Sequence, residues 1–108
     1  MAFIEVDGEN FQEVMDEVFE NNKIAILKFG SEYCESCHAL ECELEDIDDE
    51  YENVSVLNID TDESPELAEQ YEVYKLPTMV IYKDKDTLIY NKGGVILSQD
   101  IEVMLEYR

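Results

Sequence analysis

The chain has 108 residues, of which 45% are hydrophobic, and this suits one modest core, so we expect a single domain over residues 1–108. Its 28 acidic residues far outnumber its 7 lysines and arginines, which gives a formal net charge of -21. Such a charge repels phosphate backbones and anionic lipid head groups, so we expect neither nucleic acid nor a membrane as a partner.

The amino terminus, MAFIEVDGEN, has no basic segment followed by an apolar one, and no apolar run approaches the roughly 20 residues that cross a bilayer. We therefore expect a cytoplasmic protein. Disulfides are rarely structural in that compartment, so closely spaced cysteines there predict redox chemistry or metal binding rather than a structural crosslink.

The first half of the chain predicts two strands and two helices. Residues 3–6 can form a short strand, and Asn10 is then placed to cap a helix. Apolar residues fall on one face of that helix: Phe11, Val14, Met15, Val18 and Phe19. The segment KIAILKF, residues 23–29, is short, β-branched and almost continuously apolar, which is typical of an interior strand covered on both sides.

A long amphipathic helix is predicted from Cys34 to about Glu52, because apolar residues recur there at helical spacing. These apolar positions are Cys37, Leu40, Leu44, Ile47 and Tyr51. The acidic run from Glu41 to Glu52 is expected to be a solvated face that keeps the protein soluble.

The second half predicts three strands and two helices. VSVLNI forms a strand, Pro65 suits the first turn of a short helix, and TMVIY and DTLIYN pair around the turn KDKD. Ser98 can cap a last helix whose inward residues are Ile101, Met104 and Leu105. The resulting order β-α-β-α-β-α-β-β-α predicts an α/β domain with a mixed sheet.

The stretch EYCESCHALEC contains all three cysteines of the chain and its only histidine. Its cysteines could be a redox dithiol, a haem attachment site of the form CxxCH, part of a metal site, or ordinary core sulfur. Cys34 lies just after a strand and at the start of a helix, where free backbone N–H groups and the helix dipole stabilise a thiolate. Cys37 is one turn later on the same side, within reach of a mixed disulfide formed at Cys34.

Two neighbouring side chains are interpreted as incidental. Cys42 lies nearly opposite the apolar stripe of its helix, so we expect an unpaired, outward thiol. His38 and Cys42 are four residues apart on one flank, but one histidine and one cysteine do not fill a tetrahedral metal site, so we expect no metal there.

Four segments together resemble the thioredoxin family over nearly the whole chain: AILKFGSEYCESC, VLNID, KLPT and KGG. The resemblance implies a thioredoxin-like α/β fold with a central mixed sheet of about five strands flanked by about four helices. It also implies that Cys34 is the attacking thiol and Cys37 the resolving one, two catalytic roles.

The same resemblance implies a substrate-binding groove. Pro77 matches the family's cis-proline, and Leu76 would offer its backbone to an extended substrate segment. Tyr33 stands where the family usually has tryptophan, and Gly94 matches a small residue that lines the groove.

The active-site surroundings depart from the family pattern. Glu35 and Ser36 stand between the cysteines in place of Gly-Pro, and Lys28 occupies the position of a buried acid. A carboxylate at Glu35 disfavours a neighbouring thiolate, whereas an ammonium at Lys28 favours one, so both are possible pKa modulators. For the deprotonation of Cys37, neutral Lys28, Glu35 and water remain alternatives, and Lys28 could instead extend from a strand end to solvent.

The resemblance implies a protein disulfide reductase, an oxidoreductase and electron carrier with no bound cofactor. It implies disulfide-containing client proteins, a flavin-dependent thioredoxin reductase as electron donor, and a monomer. Two other classes remain open: a non-catalytic or specialised binding module on the same scaffold, and a c-type haem carrier, although haem attachment normally belongs to exported chains.

Overall fold

The computed structural model describes residues 3–106, which form a five-stranded sheet with two helices on each face. The predicted element order is confirmed. The elements in chain order are β1 (Ile4–Val6), α1 (Phe11–Glu20), β2 (Ile24–Gly30), α2 (Glu35–Glu50), β3 (Val54–Asp60), α3 (Pro65–Gln70), β4 (Thr78–Asp84), β5 (Thr87–Gly93) and α4 (Ser98–Glu106).

The sheet is mixed, as predicted, with the strand order β1-β3-β2-β4-β5. Strand β3 runs parallel to both β1 and β2, whereas β4 runs antiparallel to β2 and β5. Strand β2 is therefore central, and all seven of its residues are buried. This explains its nearly continuous apolar sequence, since a strand covered on both faces has no solvent side to mark with polar residues.

Alternating side chains of β2 belong to two separate hydrophobic cores. Ala25, Leu27 and Phe29 pack on the side of α1 and α3, whereas Ile24 and Ile26 pack on the side of α2 and α4. Side chains on a strand alternate between faces, so Lys28 continues the row of Ile24 and Ile26 toward α2. The fold thus places an ammonium group beneath the helix that follows the cysteines.

The predicted capping role of Asn10 is wrong in its detail. Asn10 occupies the N-cap position of α1, but its side chain makes no capping hydrogen bond. Its Oδ1 instead accepts the Asp7 N–H at 2.8 Å, and Asp7 Oδ1 accepts the N–H groups of Glu9 and Asn10 at 2.9 and 3.0 Å. The tight turn before the helix engages both side chains and leaves neither for the helix end.

The acidic run on α2 is not a wholly solvated face, so that expectation is wrong at two positions. Asp48 is only 7% exposed, and its Oδ2 has no hydrogen-bond partner among the described residues. It follows Leu44 by four residues and so lies at the edge of the apolar stripe, where burial raises the pKa of its carboxyl. Glu41 is also partly covered, for a different reason described below.

None of the helices in residues 3–106 is both long enough and apolar enough to cross a membrane.

Candidate active site

The two sulfurs of Cys34 and Cys37 are joined in a disulfide at the start of α2, with their Cα atoms 5.2 Å apart. Cys34 is the N-cap residue of the helix, and its Sγ accepts the backbone N–H of Cys37 at 3.2 Å. The Ser36 hydroxyl lies 3.4 Å from the same sulfur. The sulfur therefore occupies the position where a helix end offers free donors and positive potential, as the sequence predicted.

Cys34 and Cys37 differ sharply in their access to solvent. Cys34 is partly exposed, whereas Cys37 is 0% exposed and belongs to the buried face of α2. A molecule approaching from outside therefore meets the sulfur of Cys34 first. The sulfur of Cys37 is reachable mainly through its partner.

The predicted groove residues gather at the end of the sheet from which the dithiol emerges. Thr78, which follows Pro77, pairs with Phe29 near the end of β2 and with Gly93 at the end of β5. The Leu76–Pro77 bond is cis, as the sequence predicted, and the Pro77 carbonyl accepts the Gly94 N–H at 2.8 Å.

Gly94 and Tyr33 are the predicted groove residues that face open space at the surface. Gly94 has a φ of +105°, and a β-carbon added there would meet nothing within 4 Å. Tyr33, directly before Cys34, is 85% exposed. Tyr74, three residues before Pro77, is 88% exposed.

A row of polar side chains crosses the sheet behind the disulfide. Glu5, Asn58 and Lys28 are paired neighbours on β1, β3 and β2. Asn58 Nδ2 donates to both carboxylate oxygens of Glu5 at 3.1 Å, and Lys28 Nζ donates to Asn58 Oδ1 at 3.0 Å. Lys28 is only 3% exposed, so it does not extend freely into solvent.

The anionic partner of Lys28 comes from α2. Lys28 Nζ forms a hydrogen-bonded salt bridge with Glu41 Oε2, while His38 Nδ1 lies 3.4 Å from Glu41 Oε1. Burial by itself would raise the pKa of Glu41, but the hydrogen bond and charge of Lys28, assisted by His38, hold it below its ordinary value of 4.5. Glu41 is therefore ionised at neutral pH and neutralises the buried ammonium.

Glu41 is the main residue that sequence reasoning missed. The acidic run predicts a solvated side chain at Glu41, yet Glu41 lies four residues after buried Cys37 and so shares that side of the helix. A lysine inside a buried strand needs an anion nearby, and this requirement is the signal that could have prompted a search for a carboxylate partner on the helix that packs over it.

A pocket of about 220 Å³ opens beside this row. Its lining residues are Glu5, Lys28, Gly30, Ser31, Glu32, His38, Glu41, Asn58, Ile59 and Asp60. Two of these residues adjoin the dithiol: a β-carbon on Gly30 would lie 3.0 Å from Lys28 Nζ and 3.1 Å from Cys37 Sγ.

The remaining predicted residues lie apart from this network. Glu35 is exposed in the first turn of α2, and Cys42 is an exposed free thiol, as expected. Within residues 3–106, no three His, Cys, Asp or Glu side chains are grouped so that they could hold a metal ion.

A mixed sheet between two helix layers, with a CxxC disulfide at a strand–helix junction beside a cis-proline loop, defines a thiol–disulfide exchange domain of thioredoxin-like architecture. The family model described as Thioredoxin matches residues 2–106. The chain therefore belongs to the thioredoxin family, which confirms the resemblance.

Individual relatives agree with this assignment. The chain is 31% identical over 88 residues to thioredoxin H5 of Oryza sativa subsp. japonica, covering 82% of this chain and 65% of that protein. It is 38% identical over 61 residues to a thioredoxin of Chlamydia trachomatis serovar D, covering 56% and 60%. The chain thus spans less than two thirds of the length of these two relatives.

A longer match is with a thioredoxin of Chlorobaculum thiosulfatiphilum, 30% identical over 98 residues, which covers 90% of this chain and 80% of that protein. A crystal structure described as chloroplastic thioredoxin z superposes with a TM-score of 0.83 at 27% identity, covering 96% of this chain and 92% of that one. These comparisons agree with the family assignment, and the CxxC pair of this chain is joined in a disulfide.

Proposed function

We propose that this protein reduces disulfide bonds in client proteins by dithiol–disulfide exchange, with Cys34 as the attacking thiol and Cys37 as the resolving one. The observation that carries the proposal is the difference in access between the two sulfurs. Cys34 is partly exposed at a helix N-terminus, whereas Cys37 is 0% exposed beneath it. The exposed sulfur is suited to meet a client, and the covered one to act within the protein.

The exchange proceeds in two balanced steps. The thiolate of Cys34 attacks one sulfur of the client disulfide, forming a mixed disulfide and releasing the other client sulfur as a thiolate. The thiolate of Cys37 then attacks Cys34 Sγ, which restores the Cys34–Cys37 disulfide and releases the second client thiolate. Two electrons pass from the protein to the client, and the client thiolates take up protons from solvent.

We assign client binding to the surface around the cis-proline loop. Leu76 would offer backbone groups to an extended client segment, with Gly94 keeping the adjoining surface free of a bulky side chain and Pro77 buried beneath it. Tyr33 would contribute an aromatic face beside Cys34, supported by its 85% exposure.

We assign opposite influences to the two charged residues at the dithiol. Lys28 would stabilise a thiolate from the protein side, supported by its burial behind Cys37, whereas Glu35 would oppose a thiolate from the solvent side. Because Glu35 is exposed, its charge is screened by water, and we expect Lys28 to have the larger effect.

The cycle requires a source of electrons, and we propose a flavin-dependent thioredoxin reductase as that partner. We further propose a single domain over residues 1–108 that acts as a monomer in the cytoplasm, where an exposed free thiol such as Cys42 remains reduced. The high negative charge favours clients and a reductase with basic surfaces around their disulfides.

The roles of the two sulfurs are tested by trapping. Cys37→Ser should accumulate long-lived mixed disulfides with a protein substrate, seen as reducible adducts on a non-reducing gel, whereas Cys34→Ser should accumulate none. Cys42→Ser is the matched control and should turn over an insulin substrate at the parent rate. Equal trapping by both active-site variants would reverse the conclusion.

The same preparation separates the alternative classes. A non-catalytic binding module would show no insulin reduction by the parent protein, and a haem carrier would show a haem absorption spectrum in the visible range. Robust reduction with no such spectrum is the outcome expected here.

A further inference from the structure

The absence of a side chain at Gly30 brings two functional groups face to face. A β-carbon there would lie 3.0 Å from Lys28 Nζ and 3.1 Å from Cys37 Sγ. The nitrogen and the sulfur are therefore at most twice 3.1 Å apart. A charge that close influences a thiolate strongly, because both Lys28 and Cys37 are buried from bulk solvent. The position of the Lys28 ammonium therefore affects how easily Cys37 forms a thiolate.

A buried lysine keeps its charge only if something compensates for its lost hydration. Lys28 Nζ has two hydrogen-bond acceptors, the neutral Asn58 Oδ1 and the carboxylate of Glu41. Other charged or titratable groups lining the same pocket are Glu5 on β1, Glu32 before α2, His38 on α2 and Asp60 on β3. On the remaining neighbour, β4, the residue paired with Lys28 is the apolar Met79.

We propose that Glu41 is a positioning residue for the resolving step: its carboxylate holds the Lys28 ammonium beside Cys37, and the ammonium stabilises the thiolate that Cys37 needs. The inference rests on the proposed function, because it concerns the second step of that exchange. An ammonium group has no lone pair and accepts no proton, so Lys28 acts here as a charge and not as a base. The proton of the Cys37 thiol is released to solvent.

The inference makes a prediction that depends on the background in which Glu41 is changed. With Lys28 present, Glu41→Gln should loosen the hold on the ammonium beside Cys37 and so make the Cys37 thiolate harder to form. With Lys28→Met already in place, the Glu41 charge merely repels the thiolate, so Glu41→Gln should make the thiolate easier to form. The sign of the effect should reverse.

The measurement is the ultraviolet absorbance of the Cys37 thiolate against pH. Cys34→Ser and Cys42→Ser together leave Cys37 as the sole thiol, and Lys28→Met, Glu41→Gln and their combination complete a double-mutant cycle. A unit charge at this range shifts a titration by about 1–2 pH units, so Lys28→Met should raise the midpoint by about that much. Glu41→Gln alone should also raise it, by less than Lys28→Met does, and should lower it in the Lys28→Met background.

The matched control is Glu45→Gln, an exposed residue one helical turn beyond Glu41 that removes the same charge. It should leave the midpoint nearly unchanged in both backgrounds. Cooperative unfolding of each variant identifies any that has lost the fold, and Glu41→Gln preserves the size and shape of the side chain. Differences between the titration midpoints of the folded variants therefore reflect the change in charge.

The outcomes divide cleanly. A lowered midpoint for Glu41→Gln in both backgrounds would mean that Glu41 acts as a simple repelling charge, and no shift in either would mean a structural role; each result overturns the proposal. Failure of the proposed function is seen separately, as absent trapping by Cys37→Ser, because the titration requires no client.

Discussion

Replacing Gly30 with alanine should destabilise the protein, because the added methyl group has no space. The new β-carbon would lie 3.0 Å from both Lys28 Cε and Nζ and 3.1 Å from Cys37 Sγ, closer than ordinary van der Waals contact. Neither neighbour is free to yield. The sulfur is fixed in a disulfide, and the ammonium is held by Glu41 and Asn58.

The size of the effect follows from two opposing contributions. Forcing one methyl group into a well-packed interior costs about 1–3 kcal/mol. Alanine also restricts the unfolded chain more than glycine does, which returns about 0.4–1 kcal/mol. We therefore expect Gly30→Ala to lower the free energy of unfolding by about 1–2 kcal/mol.

The assay is urea unfolding of the oxidised protein, with Gly93→Ala as a matched control. Gly93 also ends a strand, and a β-carbon there would lie 2.7 Å from Lys75 Cγ. Lys75 is exposed and can swing into solvent, so Gly93→Ala should change the free energy of unfolding by no more than about 0.5 kcal/mol. Equal effects at the two glycines, or a neutral Gly30→Ala, would refute the packing argument.

Three further predictions concern charge. Asp48→Asn should stabilise the protein by up to about 1 kcal/mol at neutral pH, because burial raises the pKa of Asp48 and penalises its ionised form; in acid, where Asp48 is protonated, thermal unfolding should show no advantage. The pKa of Glu41 is lowered, so its contribution to stability is present above the ordinary value of 4.5 and is lost as pH falls through the lowered one; urea unfolding of Glu41→Gln should show a weaker loss in acid than the parent. Reduction of this protein by a reductase with a basic surface should slow steeply as salt is added, whereas its reduction by neutral dithiothreitol should not. Stability and activity that rise toward molar salt would instead indicate a halophilic origin.

The order of the elements was predictable because each has a strong local pattern. The continuous apolar run of β2, the helical spacing of Cys37, Leu40 and Leu44, and the proline that starts α3 all report on their own neighbourhoods. The position of Cys34 at a helix N-terminus followed from the same patterns. Such features need no knowledge of distant parts of the chain.

The rear of the active site could not be predicted in the same way. Glu41 and Lys28 are 13 residues apart in sequence, and Asn58 is 30 residues from Lys28, so their contacts depend on how α2 and β3 pack around β2. Asp48 likewise looked like one acid among many. Its burial depends on how α2 packs against the sheet, which composition does not record.

The polar row from Glu5 through Asn58 to Lys28 also bears on how the chain selects its fold. Aliphatic strands such as β2 and β3 would bury nearly as much surface if they paired one residue out of step, so hydrophobicity discriminates weakly between the two arrangements. A slip of β2 by one residue would turn Lys28 away from Glu41 and into the core of Phe11, Met15 and Leu67, where a bare ammonium is costly. The ion pair beneath the dithiol thus favours the correct register of β2, because any slip by one residue would bury the ammonium without its partner.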